Sequence, residues 1–131
     1  MNQHLKVIRH IFKFHGFRDS LKFALRGLAY LFMYHRNMRI IFVIGIAAFL
    51  YGLYIHLRAI ELIALCITIT LVFVAEIFNT AVELMLDMLS EEYHIKLKLI
   101  KDIAAAVVIL TCLNAIAVGY ILFLRPFLLD L

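Results

Sequence analysis

Proline occurs once, cysteine twice and glycine five times in 131 residues. The single proline, Pro126, lies near the end of the chain, so nothing before it forces a helix to stop. Cys66 and Cys112 both sit inside apolar runs. They read as small buried hydrophobes, not as a disulfide or a metal pair. There is no Gly-x-x-x-x-Gly-Lys loop and no Gly-x-Gly-x-x-Gly, which excludes the soluble nucleotide folds built on those loops. No long apolar run precedes Ile40, so no secretory signal is expected. No basic patch is interleaved with aromatics in a soluble module, which argues against a nucleic-acid partner.

What is abundant is apolar. Hydrophobic residues make up 66% of the chain and the mean hydropathy is +1.01. Soluble domains hold about 45–50%. The chain is therefore an integral membrane protein, all-α, with one small domain. At about 20 residues per crossing, three spans fit and four do not. They are expected at about 40–57, 60–88 and 99–124. Ahead of them, residues 1–19 form a basic extension, and the membrane domain runs over 20–131. Within it, residues 20–35 read as a surface helix, capped by Asp19 or Ser20 after a break at Gly16. There Leu21, Leu25, Leu28 and Phe32 recur at helical spacing, with Lys22 and Arg26 on the opposite side. Residues 34–39 form a polar elbow into the first span. Residues 91–98 are a charged loop, Lys101 and Asp102 open the third helix, and Pro126 ends it. Ala104, Ala105 and Ala106 are small enough for a close helix approach, and Asn114 is the strongly polar side chain in mid-span.

Eleven of the thirteen Lys and Arg precede the first span or lie between the second and third; only Arg58 and Arg125 fall on the other side. The positive-inside rule then puts the N-terminus and residues 90–101 in the cytoplasm.

The second helix is the one that carries chemistry. From Leu62 to Ala75 it holds no charge; then follows Glu76-Ile77-Phe78-Asn79-Thr80-Ala81-Val82-Glu83, and Asp87 beyond. Glu76, Asn79, Thr80, Glu83 and Asp87 share an arc of roughly 100°, with apolar residues between them. Carboxylates on a membrane helix are costly and normally face a partner, a cavity or an ion. Counted from Glu61 at about 1.5 Å per residue, Glu76 lies roughly 22 Å along the helix, toward the cytoplasmic face. Such a stripe needs covering, so a homo-oligomer is expected. Carboxylates and a lysine at a lipid–water boundary suit metal-assisted phosphoryl transfer. Magnesium takes carboxylate and phosphate oxygens, a lysine neutralises charge on the transferred group, and another carboxylate accepts a proton. Glu76 and Glu83 are two turns apart, so one can serve the acceptor and the other the metal.

The run Glu76 to Glu83 with Asp87, then Glu92-Tyr93-His94, then Lys101-Asp102-Ile103-Ala104-Ala105, resembles the signature of the small prokaryotic lipid kinases, the integral-membrane diacylglycerol and undecaprenol kinases. Residues 21–39, with Arg36-Asn37-Met38-Arg39, are similar to that family's surface helix and elbow. The resemblance spans about residues 20–124. It implies a homotrimer with three membrane helices per chain, in the bacterial inner membrane, with composite sites at the cytoplasmic face. It implies transfer of the ATP γ-phosphate to a lipid hydroxyl with Mg²⁺. Glu76 would be the general base and Asn79 would stand beside the acceptor. Glu83 would bind metal, and with Glu92, Tyr93, His94, Lys101 and Asp102 would contact ATP. His35 stands where the family has a glutamate that helps hold the metal, and a neutral imidazole suits hard magnesium less well. The motifs look more like the undecaprenol branch than the diacylglycerol branch.

Three other readings of the same residues stand: a polar seam that glues helices together, a small transporter or ion-conducting bundle, and a catalytically weak family member acting as a membrane partner. Against the transporter, the helices show no paired interruptions and no inverted repeat. Topology is directly testable. With Lys98→Cys, an impermeant thiol reagent should react only after the inner face is opened; labelling from outside intact cells would overturn the assignment.

Overall fold

The computed structural model describes residues 16–89 and 95–130. Over them the protein is all-α, and three helices are long and apolar enough to cross a membrane. The chain divides into two units at the boundary between His35 and Arg36.

The first unit contains helix α1, Phe17–Tyr34. It starts earlier than Leu21. The Gly16 carbonyl accepts the backbone N–H groups of Asp19 and Ser20 at 2.9 and 3.2 Å, so both residues lie in the first turn instead of capping it. Asp19 there still meets the positive end of the helix dipole. The helix closes where His35 turns extended, with its N–H donating to the Leu31 carbonyl at 2.9 Å. Arg18, Lys22 and Arg26 line the same shallow groove as Leu21, Leu25 and Ala29. The basic stripe thus adjoins the apolar one and does not oppose it, as four-residue spacing dictates.

The second unit holds α2 (Arg36–Tyr54), α3 (Ala59–Leu89) and α4 (Ile95–Gly119), followed by a π-helical turn (Tyr120–Leu124) and the short α5 (Arg125–Leu129). Three expectations are corrected. The polar elbow narrows to His35, since residues 36–39 are already helical. So are residues 95–98, taken from sequence as loop. Pro126 does not end the helical path. It has no N–H, and its ring crowds the carbonyl four residues back. The π-helical turn just ahead of it, in which the Arg125 N–H reaches the Tyr120 carbonyl, widens the backbone so that helix resumes.

α3 packs against both α2 and α4. Apolar contact in lipid gains little, since acyl tails are equally apolar, so close packing of small residues has to hold the helices. The contacts have that character. A Cβ on Gly45 would stand 2.9 Å from Cγ2 of Ile69, and one on Gly52 would stand 3.0 Å from Cδ1 of Leu57. Phe42 meets Phe73 edge-on at 6.3 Å, and Tyr51 meets Phe123 of the π-helical turn at 5.4 Å. On α4, Ala104 is buried while Ala105, Ala106 and Asn114 are exposed.

The α2–α3 turn is set by two caps. His56 has φ 57°, the Leu57 N–H reaches the Gly52 carbonyl at 3.0 Å, and the His56 N–H reaches Leu53 at 3.1 Å. This is a Schellman ending with histidine where glycine is usual. Glu61 then accepts the Arg58 backbone N–H at 2.8 Å and its guanidinium at 3.1 Å, half of a capping box. Together they start α3 at a defined rotation.

Gly45→Val should separate α2 from α3, lowering stability by about 1–3 kcal/mol through overpacking. Thermal unfolding in detergent checks it, and adding Ile69→Ala should restore part of the loss.

Candidate active site

The buried residues of α3 are Leu65, Thr68, Val72, Ala75, Glu76 and Thr80. Their three- and four-residue spacing is one continuous stripe. The polar stripe is therefore the continuation, toward the C-terminal end of α3, of the face that packs α3 into the bundle. Glu76 is only 6% exposed and Thr80 2%, while Asn79 and Glu83 are half-buried and Asp87 is exposed. At 31 residues, about 46 Å, α3 outruns a hydrocarbon core about 30 Å thick, so the stripe grades from enclosed to open along its length.

The hydroxyls higher on the spans satisfy themselves. Thr68 donates to the Ala64 carbonyl and Thr70 to Cys66, both at 2.8 Å, and Thr111 donates to Val108 at 2.9 Å. Self-bonding of this kind makes a hydroxyl tolerable in lipid. The Asn79–Glu83 pair differs. The Asn79 amide donates to Glu83 Oε1 at 3.5 Å, the outer limit of a hydrogen bond, and the Asn79 Oδ1 oxygen is buried without a partner among the described residues. An unpaired buried acceptor costs roughly 1–3 kcal/mol, so a donor arriving there gains that much.

Lys101 and Asp102 are exposed on the second turn of α4. Among the described residues no ion pair ties them to the stripe. Glu92, Tyr93 and His94 lie outside the described residues. His35 belongs to the first unit, where its ring stands 5.8 Å from that of Tyr30, which in turn lies tilted against Tyr34 at 4.9 Å. Among the described residues no three His, Cys, Asp or Glu side chains converge to hold a cation.

Sequence reasoning gave Thr80 a place in the stripe but no role, and it proves one of the most enclosed side chains. It also missed a groove of about 470 Å³ between α2, α3 and α4. Gly45, Ala48, Ala115 and Gly119 leave the space, and Thr68 is polar among apolar walls. The groove reaches Val72, one helical turn from Glu76. The small residues recurring on α2 and α4 were its signal.

Residues 22–123 match the family described as prokaryotic diacylglycerol kinase. A protein of Synechocystis named diacylglycerol kinase is 37% identical over 110 residues, covering 83% of this chain and 63% of the relative. The chain thus spans somewhat less than two thirds of that relative's length. It belongs to the prokaryotic diacylglycerol kinase family.

Because the Asn79 oxygen is buried unpaired, Asn79→Leu should leave the thermal midpoint unchanged or raise it. A fall of several degrees would show that the amide holds a structural partner.

Proposed function

We propose that the protein is a membrane lipid kinase that transfers the γ-phosphate of ATP to a lipid hydroxyl at the cytoplasmic face, as a self-associating homotrimer. The observation that carries this reading is Glu76: a carboxylate 6% exposed on an apolar span, one turn from a buried unpaired amide oxygen and one turn from an apolar groove. The family and its diacylglycerol kinase relative support a lipid acceptor. Diacylglycerol is the first acceptor to test and undecaprenol the second.

In this reading the acyl or prenyl chain occupies the apolar groove and its hydroxyl lies beside Glu76 and Asn79. Asn79 Oδ1 accepts the hydroxyl's one O–H as the lipid docks, and that O–H then turns to the Glu76 carboxylate for the reaction. The hydroxyl oxygen forms a bond to the γ-phosphorus as the bond from phosphorus to the β–γ bridging oxygen breaks. The hydroxyl proton passes to the Glu76 carboxylate, and ADP leaves. Enclosure keeps water, the competing acceptor, away from the phosphorus. Glu92, Tyr93, His94, Lys101 and Asp102 hold the nucleotide, with Lys101 set against phosphate charge.

Magnesium fits this donor set. It commonly takes one or two protein carboxylates and draws its other ligands from substrate phosphates and water, so no dense protein cluster is required. Half-buried Glu83, with one oxygen only loosely engaged by Asn79, would hold it. A Mg²⁺ held there would supply charge neutralisation to the nucleotide phosphates. His35→Glu should lower the Mg²⁺ concentration for half-maximal activity; an unchanged requirement would remove His35 from the metal site.

Phosphorylation of diacylglycerol and of undecaprenol by purified protein with labelled ATP tests the reaction itself. Glu76→Gln keeps size and hydrogen bonding but removes the basic oxygen. It should lower kcat by about 10²–10⁴-fold, with ATP affinity and the detergent sizing profile intact. Glu83→Gln should instead raise the Mg²⁺ and ATP requirements. Glu76→Gln retaining more than about a third of wild-type turnover, far above what loss of a general base allows, would make Glu76 part of a polar seam.

A further inference from the structure

We infer that α1 carries a binding site for an anionic phospholipid, distinct in chemistry from any site for a neutral lipid alcohol. Arg18, Lys22 and Arg26 recur every four residues and share one groove of about 420 Å³ with Leu21, Leu25 and Ala29. On a helix these six positions form two adjacent rows, one cationic and one apolar. A phospholipid has the matching form: a phosphodiester at one end and acyl methylenes immediately next to it. The apolar row meets the methylenes, and the longer basic side chains run along it and place their charges at headgroup depth.

Two observations favour this occupant. All six lining residues are exposed. Leu31, the buried side chain of α1, does not line the groove. The charge is also uniform. Asp19 is the one acidic residue of α1 and it does not line the groove. Three cations without a carboxylate among them select an anion, and a neutral diacylglycerol or polyprenol offers them nothing. Arg26 additionally lies 6.0 Å from the Phe23 ring centroid, which holds its guanidinium on the helix surface.

The test uses the full-length protein in bilayers of phosphatidylcholine with about a quarter phosphatidylglycerol, and reads lipid selectivity, not activity. Spin-labelled phosphatidylglycerol and phosphatidylcholine report the fraction of each lipid immobilised on the protein. The wild type should prefer phosphatidylglycerol. Arg18→Gln/Lys22→Gln/Arg26→Gln should lower that preference about fivefold or more, the weight of one cation or more at a membrane surface. The charge-preserving Arg18→Lys/Arg26→Lys should keep most of it. On the wild type alone, raising salt from about 0.05 to 0.5 M should weaken the preference, because exposed charges are screened. No preference in the wild type, or the same preference in the triple glutamine variant, would overturn the site.

Discussion

A carboxylate placed on the packing face of a membrane helix carries a desolvation cost that apolar contact in lipid barely offsets, because the acyl tails are as apolar as leucine. Glu76 stands in that position, in register with Leu65, Thr68, Val72 and Ala75. The rest of the second unit is arranged around this placement. α2 approaches through Gly45 and Gly52, α4 through Ala104, and the threonines on the spans return their hydroxyl protons to their own backbones. Among the described residues the buried polar atom left without a partner is Asn79 Oδ1, one turn from the enclosed Glu76. That unpaired acceptor is where the lipid hydroxyl of the proposed reaction would find a partner.

The rotation of α3 about its axis decides whether Glu76 faces the bundle or the lipid. That rotation begins at the α2–α3 turn, where His56 accepts a left-handed conformation that histidine adopts at some cost. Glu61 then locks the first residues of α3 through Arg58. A one-residue slip at this turn would swing the stripe by about 100° and take Glu76 off the packing face. The α2–α3 turn thus fixes the aim of a residue about five helical turns away.

α1 obeys different physics. Its residues from 16 to 30 are exposed, and its order comes from amphipathic patterning and a closed final turn, not from enclosure. In the proposed reading the enclosed carboxylate on α3 and the open cationic groove on α1 take opposite ligands. One would take a neutral hydroxyl that can give up a proton, and the other a charge already formed.

The sequence by itself determined the helical class, three spans and the residues of the polar stripe. Each of these follows from local composition or from a 100° repeat that any α-helix imposes. It also placed Glu76, Asn79 and Glu83 on one face, because four-residue spacing needs no neighbour to be interpreted. It erred at helix ends: Asp19, the residues 36–39, Lys96 and Lys98 are all helical, since end residues with caps and loops share the same polar composition. Pro126 misled because a π-helical turn, invisible in composition, absorbs its missing hydrogen bond. Only the tertiary structure decided that Glu76 and Thr80 are enclosed while Lys101 and Asp102 are open. Only it showed that the small residues of α2 and α4 leave a groove ending one turn from Glu76. Burial and cavities are set by which helices meet and how closely, and that depends on residues far apart in the chain.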